Sequence, residues 1–163
     1  MQYTTAVPFN GNLKSAFNLA IAVLTSNGFW VVAKNSSSVD FAGPGMSSSR
    51  QSPLLGASRI QLAADRNELS AHVELGGVQR MSRFILYFPA GLSLFLFLVI
   101  VGIFAVVQPQ SLGLAASITG AVTVANVFIW LLLGPPLTRY IQARSCRAID
   151  ALVNNMVAVG RDA

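Results

Sequence analysis

From Phe84 to Gly134 the chain carries no Asp, Glu, Lys, Arg or His. Two apolar runs fill this stretch, Phe84 to Val107 and Leu112 to Leu133, separated by Gln108-Pro109-Gln110-Ser111. An α-helix rises about 1.5 Å per residue and the hydrocarbon core of a bilayer is about 30 Å thick, so roughly 20 apolar residues span it. Each run meets that length. Inside hydrocarbon every backbone N–H and C=O needs a partner within its own segment, which selects helix. Pro109 suits the turn, because proline fixes φ and donates no hydrogen bond. The stretch reads as a transmembrane helical hairpin, since a chain of 163 residues is too small to wrap two such helices in a soluble core.

The hairpin divides the chain into three expected parts: a domain over 1–83, the hairpin over 84–134 with spans 84–107 and 112–133, and a helical tail over 135–163. All formal charge lies outside the hairpin. The first part holds seven basic and four acidic residues, and the tail four basic and two acidic, together giving the net +5. This surplus does not read as nucleic-acid binding, because no basic run is interleaved with aromatics. The clustered arginines instead flank the spans: Arg80 and Arg83 before the first, and Arg139, Arg144 and Arg147 after the second. The connection between the spans has none. The positive-inside rule then places both termini in the cytoplasm and the five arginines at the membrane interface. Met1 to Ala6 does not begin a signal peptide, since no apolar core follows it. The single cysteine, Cys146, fits a reducing compartment.

The first 83 residues alternate in a way that predicts strands. Tyr3 to Val7 is a short strand, followed by the turn Pro8-Phe9-Asn10-Gly11. Asn12 is positioned to cap a helix over Leu13 to Ser26, with Leu13, Phe17, Ala20, Ile21 and Leu24 as its apolar stripe. Ala16, Leu19, Ala22 and Val23 are also apolar and lie off that stripe. Asn27-Gly28 ends the helix, with Gly28 free to turn left-handed. Strands follow at Phe29 to Ala33, Ser38 to Ala42, Ala57 to Ala64 and Glu68 to Leu75, the last two alternating with Ile60, Leu62, Ala64 and Leu69, Ala71, Val73 on one side. The expected fold is α+β: a small antiparallel sheet with one packed helix, then the two-helix hairpin, then a C-terminal amphipathic helix. Charged residues number 11 of the first 83, well below the roughly 25% of an ordinary soluble domain, so part of this surface is expected to rest on a bilayer or a partner.

Four groups of residues are candidates for work. The stretch Gly43 to Gly56 is long for a connection between strands, and Ser47, Ser48, Ser49 and Arg50 in it can hold an anion or contact a partner. It lacks the lysine and the glycine spacing of a nucleotide-binding loop. Ser70, His72 and Glu74 share a strand face, but residues two apart on a strand stand about 6.5–7 Å apart, beyond hydrogen-bond reach for the shorter side chains. They read as a solvated face, so no catalytic residue is assigned. No cofactor-binding residue and no metal ligand set is assigned either, because one His, one Cys and scattered carboxylates lack ligand spacing. In the second span Gly113, Ser117, Ala121 and Ala125 recur every four residues, and Asn126 is an amide inside hydrocarbon. Together they are candidates for helix packing, within the hairpin or between copies. In the tail Ile141, Ala148, Leu152, Met156 and Val159 can share a face, which suggests an interfacial amphipathic helix with Cys146 close to the membrane.

The expected function is that of a non-enzymatic integral membrane protein. It presents a small cytoplasmic module to a partner or to lipid headgroups, as an accessory or scaffold subunit. Its partners would be membrane lipids and a protein partner or a second copy of the chain, with no cofactor. The alternative is a lipid-handling or transport component with an apolar pocket above the bilayer. Arg50 supplies the sharpest expectation. Arg50→Ala should leave the fold intact and weaken binding to anionic liposomes by about 1.5–3 kcal/mol, the worth of a charge-assisted bond. Arg50→Lys should recover only part, since lysine lacks the bidentate fork. Wild-type binding by both variants would make the stretch a connector only.

Overall fold

The computed structural model describes residues 1–44, 52–65 and 67–162. Ser47, Ser48, Ser49 and Arg50 lie outside these described residues. The chain forms two compact units, one from Met1–Arg80 together with Arg139–Ala163 and the other from Met81–Thr138.

The first unit is built on a five-stranded antiparallel sheet. Its strands are β1 (Gln2–Pro8), β2 (Trp30–Lys34), β3 (Ser38–Ala42), β4 (Arg59–Asp65) and β5 (Glu68–Glu74), in the spatial order β1-β5-β4-β3-β2. The last four form an antiparallel meander, with short turns between β2 and β3 and between β4 and β5 and a long connection between β3 and β4. Helix α1 (Leu13–Ser26) carries the chain from β1 at one edge to β2 at the other. It starts where expected: the Asn12 side chain accepts from the backbone N–H groups of Lys14 and Ser15, at 3.1 and 3.3 Å. It also ends where expected, with Gly28 at φ 87°, a conformation that costs glycine nothing.

Alternation decides which face of the sheet is covered. Val39, Phe41, Ile60, Leu62, Leu69, Ala71 and Val73 point to one side and are buried. Phe17, Ala20 and Leu24 of α1 cover part of that side. Ala16, read from the sequence as off the core stripe, is fully buried, and Leu19 and Val23 are partly buried against the core. The stripe of α1 is therefore wider than the narrow periodic reading, as a globular helix with an arc of 100° or more requires.

The rest of that side is covered by the end of the chain. Helix α3 (Leu112–Asp162) contributes Ile149, Leu152, Val153, Met156 and Val157 to the same buried cluster as the sheet. Residues 135–163, expected to be a separate helix lying on a membrane, thus belong from Arg139 onward to the sheet unit. Ile141 and Ala148 are partly buried against the same core, and only Val159 of the expected interfacial stripe is exposed, at 40%. An amphipathic pattern records that a face needs cover and not what covers it.

Two further contacts fasten α3 to the sheet unit. Tyr3 on β1 donates its hydroxyl to Asp150 Oδ1 at 2.7 Å. Asn12 donates its backbone N–H to the Gly160 carbonyl at 2.7 Å, and a side chain at Gly160 would overlap the ring of Phe9. Leu54 and Leu55, in a short 3-10 turn over Pro53–Gly56, are buried in the same core.

The second unit pairs the last part of α2 (Gly76–Val107) with the first part of α3, joined through a 3-10 turn at Pro109–Ser111. Both helices are long and apolar enough to cross a membrane. Gly120 faces α2, where an added Cβ would sit 3.6 Å from Phe97. The helix continues through Pro135 and Pro136, so the second apolar run and the tail expected over 135–163 form one helix. The two prolines remove the N–H bonds to the Leu131 and Leu132 carbonyls, a loss of the kind that costs about 3 kcal/mol in a helix interior. The Thr138 hydroxyl donates nearby, to Gly134 O at 2.9 Å.

The bond between Tyr3 and Asp150 gives a pH-dependent test. The hydrogen bond to Asp150, then burial and the same carboxylate's charge, raises the Tyr3 phenol above its ordinary 10.0. A group raised in the folded state contributes stability below its unfolded value and loses it as pH climbs through the folded one. Tyr3→Phe should therefore lower the unfolding free energy by about 1–2 kcal/mol at neutral pH. It should also flatten the wild-type decline above pH 10.0, read by denaturant titration in detergent. An unchanged slope in the variant would show that other groups drive the decline.

Candidate functional site

The uncovered face of the sheet carries the polar side chains of the first unit. Pairing aligns them in two rows across the strands. One row runs Thr4, His72, Gln61 and Asp40, and the other runs Gln2, Glu74, Arg59, Ala42 and Trp30. Adjacent strands lie about 4.8 Å apart, so neighbours in a row are within reach of one another. Arg59 forms an ion pair with Asp40 at 3.2 Å, with the arginine side chain 51% exposed and the aspartate 15%. His72 Nδ1 lies 3.2 Å from Thr4 Oγ1. A cleft of about 370 Å³ opens here, lined by Gln2, Thr4, Arg59, Gln61, His72 and Glu74 together with Tyr3 and Val73.

This face presents guanidinium, carboxylate, imidazole, amide and hydroxyl groups. Ser70, His72 and Glu74 do share it, as their spacing implies. The Ser70 hydroxyl donates to the Ala63 carbonyl at 3.1 Å, and His72 turns to Thr4, so the serine and the histidine are engaged apart from each other. On α3, which covers the other side of the sheet, Cys146 is half-buried against the core. Burial, and then the Asp150 carboxylate, pushes its thiol above the ordinary value. The protonated, unreactive form therefore prevails at neutral pH.

In the hairpin unit a polar link between the two helices runs through Asn126. Its amide donates to Ser93 Oγ, and Ser93 Oγ donates to the Pro89 carbonyl at 2.7 Å. Pro89 lies inside α2, so the Ile85 carbonyl one turn back has no proline N–H to accept. The chain Asn126–Ser93–Pro89 crosses from α3 to α2 one turn beyond the bond that this proline removes. Asn126 borders two apolar clefts, of about 490 and 330 Å³. The signal for Asn126 was visible in the sequence as an amide among apolar residues. Its partner Ser93, in the other span, was not singled out.

The small residues are placed differently. Gly113, Ser117, Ala121 and Ala125 are exposed, and the Ser117 hydroxyl turns back onto the Gly113 carbonyl at 2.8 Å. The face of α3 toward α2 is formed instead by residues such as Gly120 and Asn126. Of the helix-packing set, only Asn126 makes a bond across the hairpin. Arg80, Arg83, Arg139, Arg144 and Arg147 are all exposed.

No family model, curated protein or solved structure matches the chain. The Asn126 network can be measured directly. Asn126→Leu should lower thermal stability in detergent by an interaction worth about 0.6–2 kcal/mol, and Ser93→Ala should cost less than an additive amount on top of it. Full additivity would mean that the two side chains do not act as a pair.

Proposed function

We propose that this chain is a non-enzymatic integral membrane protein whose hairpin anchors a cytoplasmic α+β binding module, serving as an accessory or scaffold subunit. The observation that carries the reading is the composition of the sheet unit. Residues before and after the hairpin share one buried cluster. Segments that share a core must lie on the same side of a bilayer, so the stretch between them crosses an even number of times. Two helices of spanning length lie in that stretch. The five exposed arginines next to the spans favour the cytoplasmic side.

The polar face of the sheet supports binding as the task of the module. Trp and Arg are enriched at interaction hot spots, and Trp30 and Arg59 stand in the same row of this face. The alternative is a lipid-handling component with an apolar pocket in the module. It draws less support, since the sheet-face cleft is lined mainly by polar groups and the apolar clefts bordered by Asn126 belong to the hairpin unit.

The test has two arms. In a Cys146→Ser background, a membrane-impermeant thiol reagent applied to intact cells should label Ser111→Cys and spare Ser37→Cys and Asp162→Cys. Labelling of either of the last two overturns the topology. Purification in mild detergent should then retain a protein or lipid that is lost with Arg59→Glu, and a chain that elutes alone in both forms overturns the binding role.

A further inference from the structure

The two clefts bordered by Asn126 follow one another along α2. One, of about 330 Å³, is lined there between Phe84 and Leu92, and the other, of about 490 Å³, between Ser93 and Ile100. On α3 the larger cleft is lined by Thr119, Val122, Asn126 and Ile129, at steps of three and four residues. On α2 Ser93, Leu96 and Ile100 follow the same steps. This is the spacing of a seam between packed helices, and the seam is open: Leu96, Val122 and Ile129 are 48%, 64% and 49% exposed. The amide in it is only partly engaged. One N–H of Asn126 goes to Ser93, and among the described residues nothing donates to its carbonyl oxygen.

Water would satisfy that oxygen, and hydrocarbon cannot. Asn126 stands seven residues inside the end of the apolar run at Leu133, about 10 Å along the helix. The polar groups of ordinary lipids lie outside the hydrocarbon core, so an acyl chain filling the cleft brings no donor to this depth. A second copy of the chain does. It inserts the same way and carries the same amide at the same depth, and a primary amide is its own complement, with donors and an acceptor on one group. We propose that this groove closes on the groove of a second copy, about a twofold axis along the helices, to make a four-helix bundle with the two Asn126 side chains paired in its core. The open seams are then buried, and a single asparagine in such a seam fixes the register and the number of helices. The contact is isologous, so it closes as a dimer and does not propagate. It deepens the functional reading above by naming a second copy as a partner, and rests on that reading for the hairpin's place in a membrane.

The experiment uses the full chain carrying Cys146→Ser, purified in mild detergent, where light scattering should show a dimer. With Val122→Cys added, a short bismaleimide should trap that dimer. Val124→Cys, at a position 70% exposed that lines neither cleft, should trap none. Asn126→Leu should raise the dimer dissociation constant about tenfold. Because it also breaks the bond to Ser93, Ser93→Ala is measured beside it. That variant removes the bond within the hairpin, leaves the amide in place and should keep the dimer. A chain that is monomeric throughout overturns the proposal. So does a dimer that survives Asn126→Leu unchanged, or one weakened equally by Ser93→Ala, which would confine the amide to its own hairpin. Cross-linking at position 124 in place of 122 overturns it by putting the contact on another face. A monomer that holds a lipid in native mass spectrometry until Asn126→Leu releases it overturns it too, with the lipid as occupant. Thiol labelling from outside cells reads the termini alone, so a dimer trapped through position 122 stands even where the cytoplasmic reading fails.

Discussion

The buried side of the sheet cannot be closed by residues near it in sequence. Helix α1 is 14 residues long and runs from one edge to the other, which leaves part of a five-stranded face uncovered. Ile149, Leu152, Val153, Met156 and Val157 supply the missing cover. Each buried aliphatic side chain of this size contributes about 1.5–3 kcal/mol relative to exposure, so this helix segment is a main part of what keeps the sheet folded. The apolar hairpin is, in these terms, an insertion between β5 and the helix that completes the sheet unit.

The insertion accounts for other features. Chain segments far apart in sequence must be held in register, and the contacts that do so are specific: the phenol of Tyr3 on Asp150, and the Asn12 N–H on the Gly160 carbonyl. The second of these needs a residue without a side chain at Gly160, where the Phe9 ring is in contact. In the hairpin the specifying contact is also polar. Apolar helices in an apolar solvent gain little from mere burial, and the Asn126–Ser93 bond sets one arrangement of α2 and α3 apart from its rotated alternatives.

Local features of the fold were legible in the sequence because their causes are local. Asn12 as a cap, Gly28 as a left-handed stop, and the alternation of Ile60 with Leu62 or Leu69 with Ala71 each depend on a few neighbouring residues. The two long apolar helices were legible from charge and length alone. What escaped depended on partners distant in sequence. The stripe at Leu152 and Met156 has the same period whether it meets a bilayer or a sheet. Ala16 is too small to mark a core position by itself. The polar rows from Thr4 to Asp40 arise from strand register, which β1 completes by pairing with β5 across most of the first unit. The stripe of small residues at Gly113 and Ser117 was visible, but nothing in its spacing said which side of α3 would meet α2. Residues 47–50 lie outside the described part of the chain, and their reading rests on sequence alone.

The discontinuous core has a consequence for how the protein comes into being. A ribosome makes the five strands first and the covering helix last, with Met81–Thr138 in between. Throughout that interval Phe41, Leu62, Leu69 and their neighbours lack part of their final cover. The hairpin is therefore made before the core is complete, and a chain released early would carry an unfinished sheet. Damage near the C-terminus would register as a folding failure of strands that lie far back along the chain.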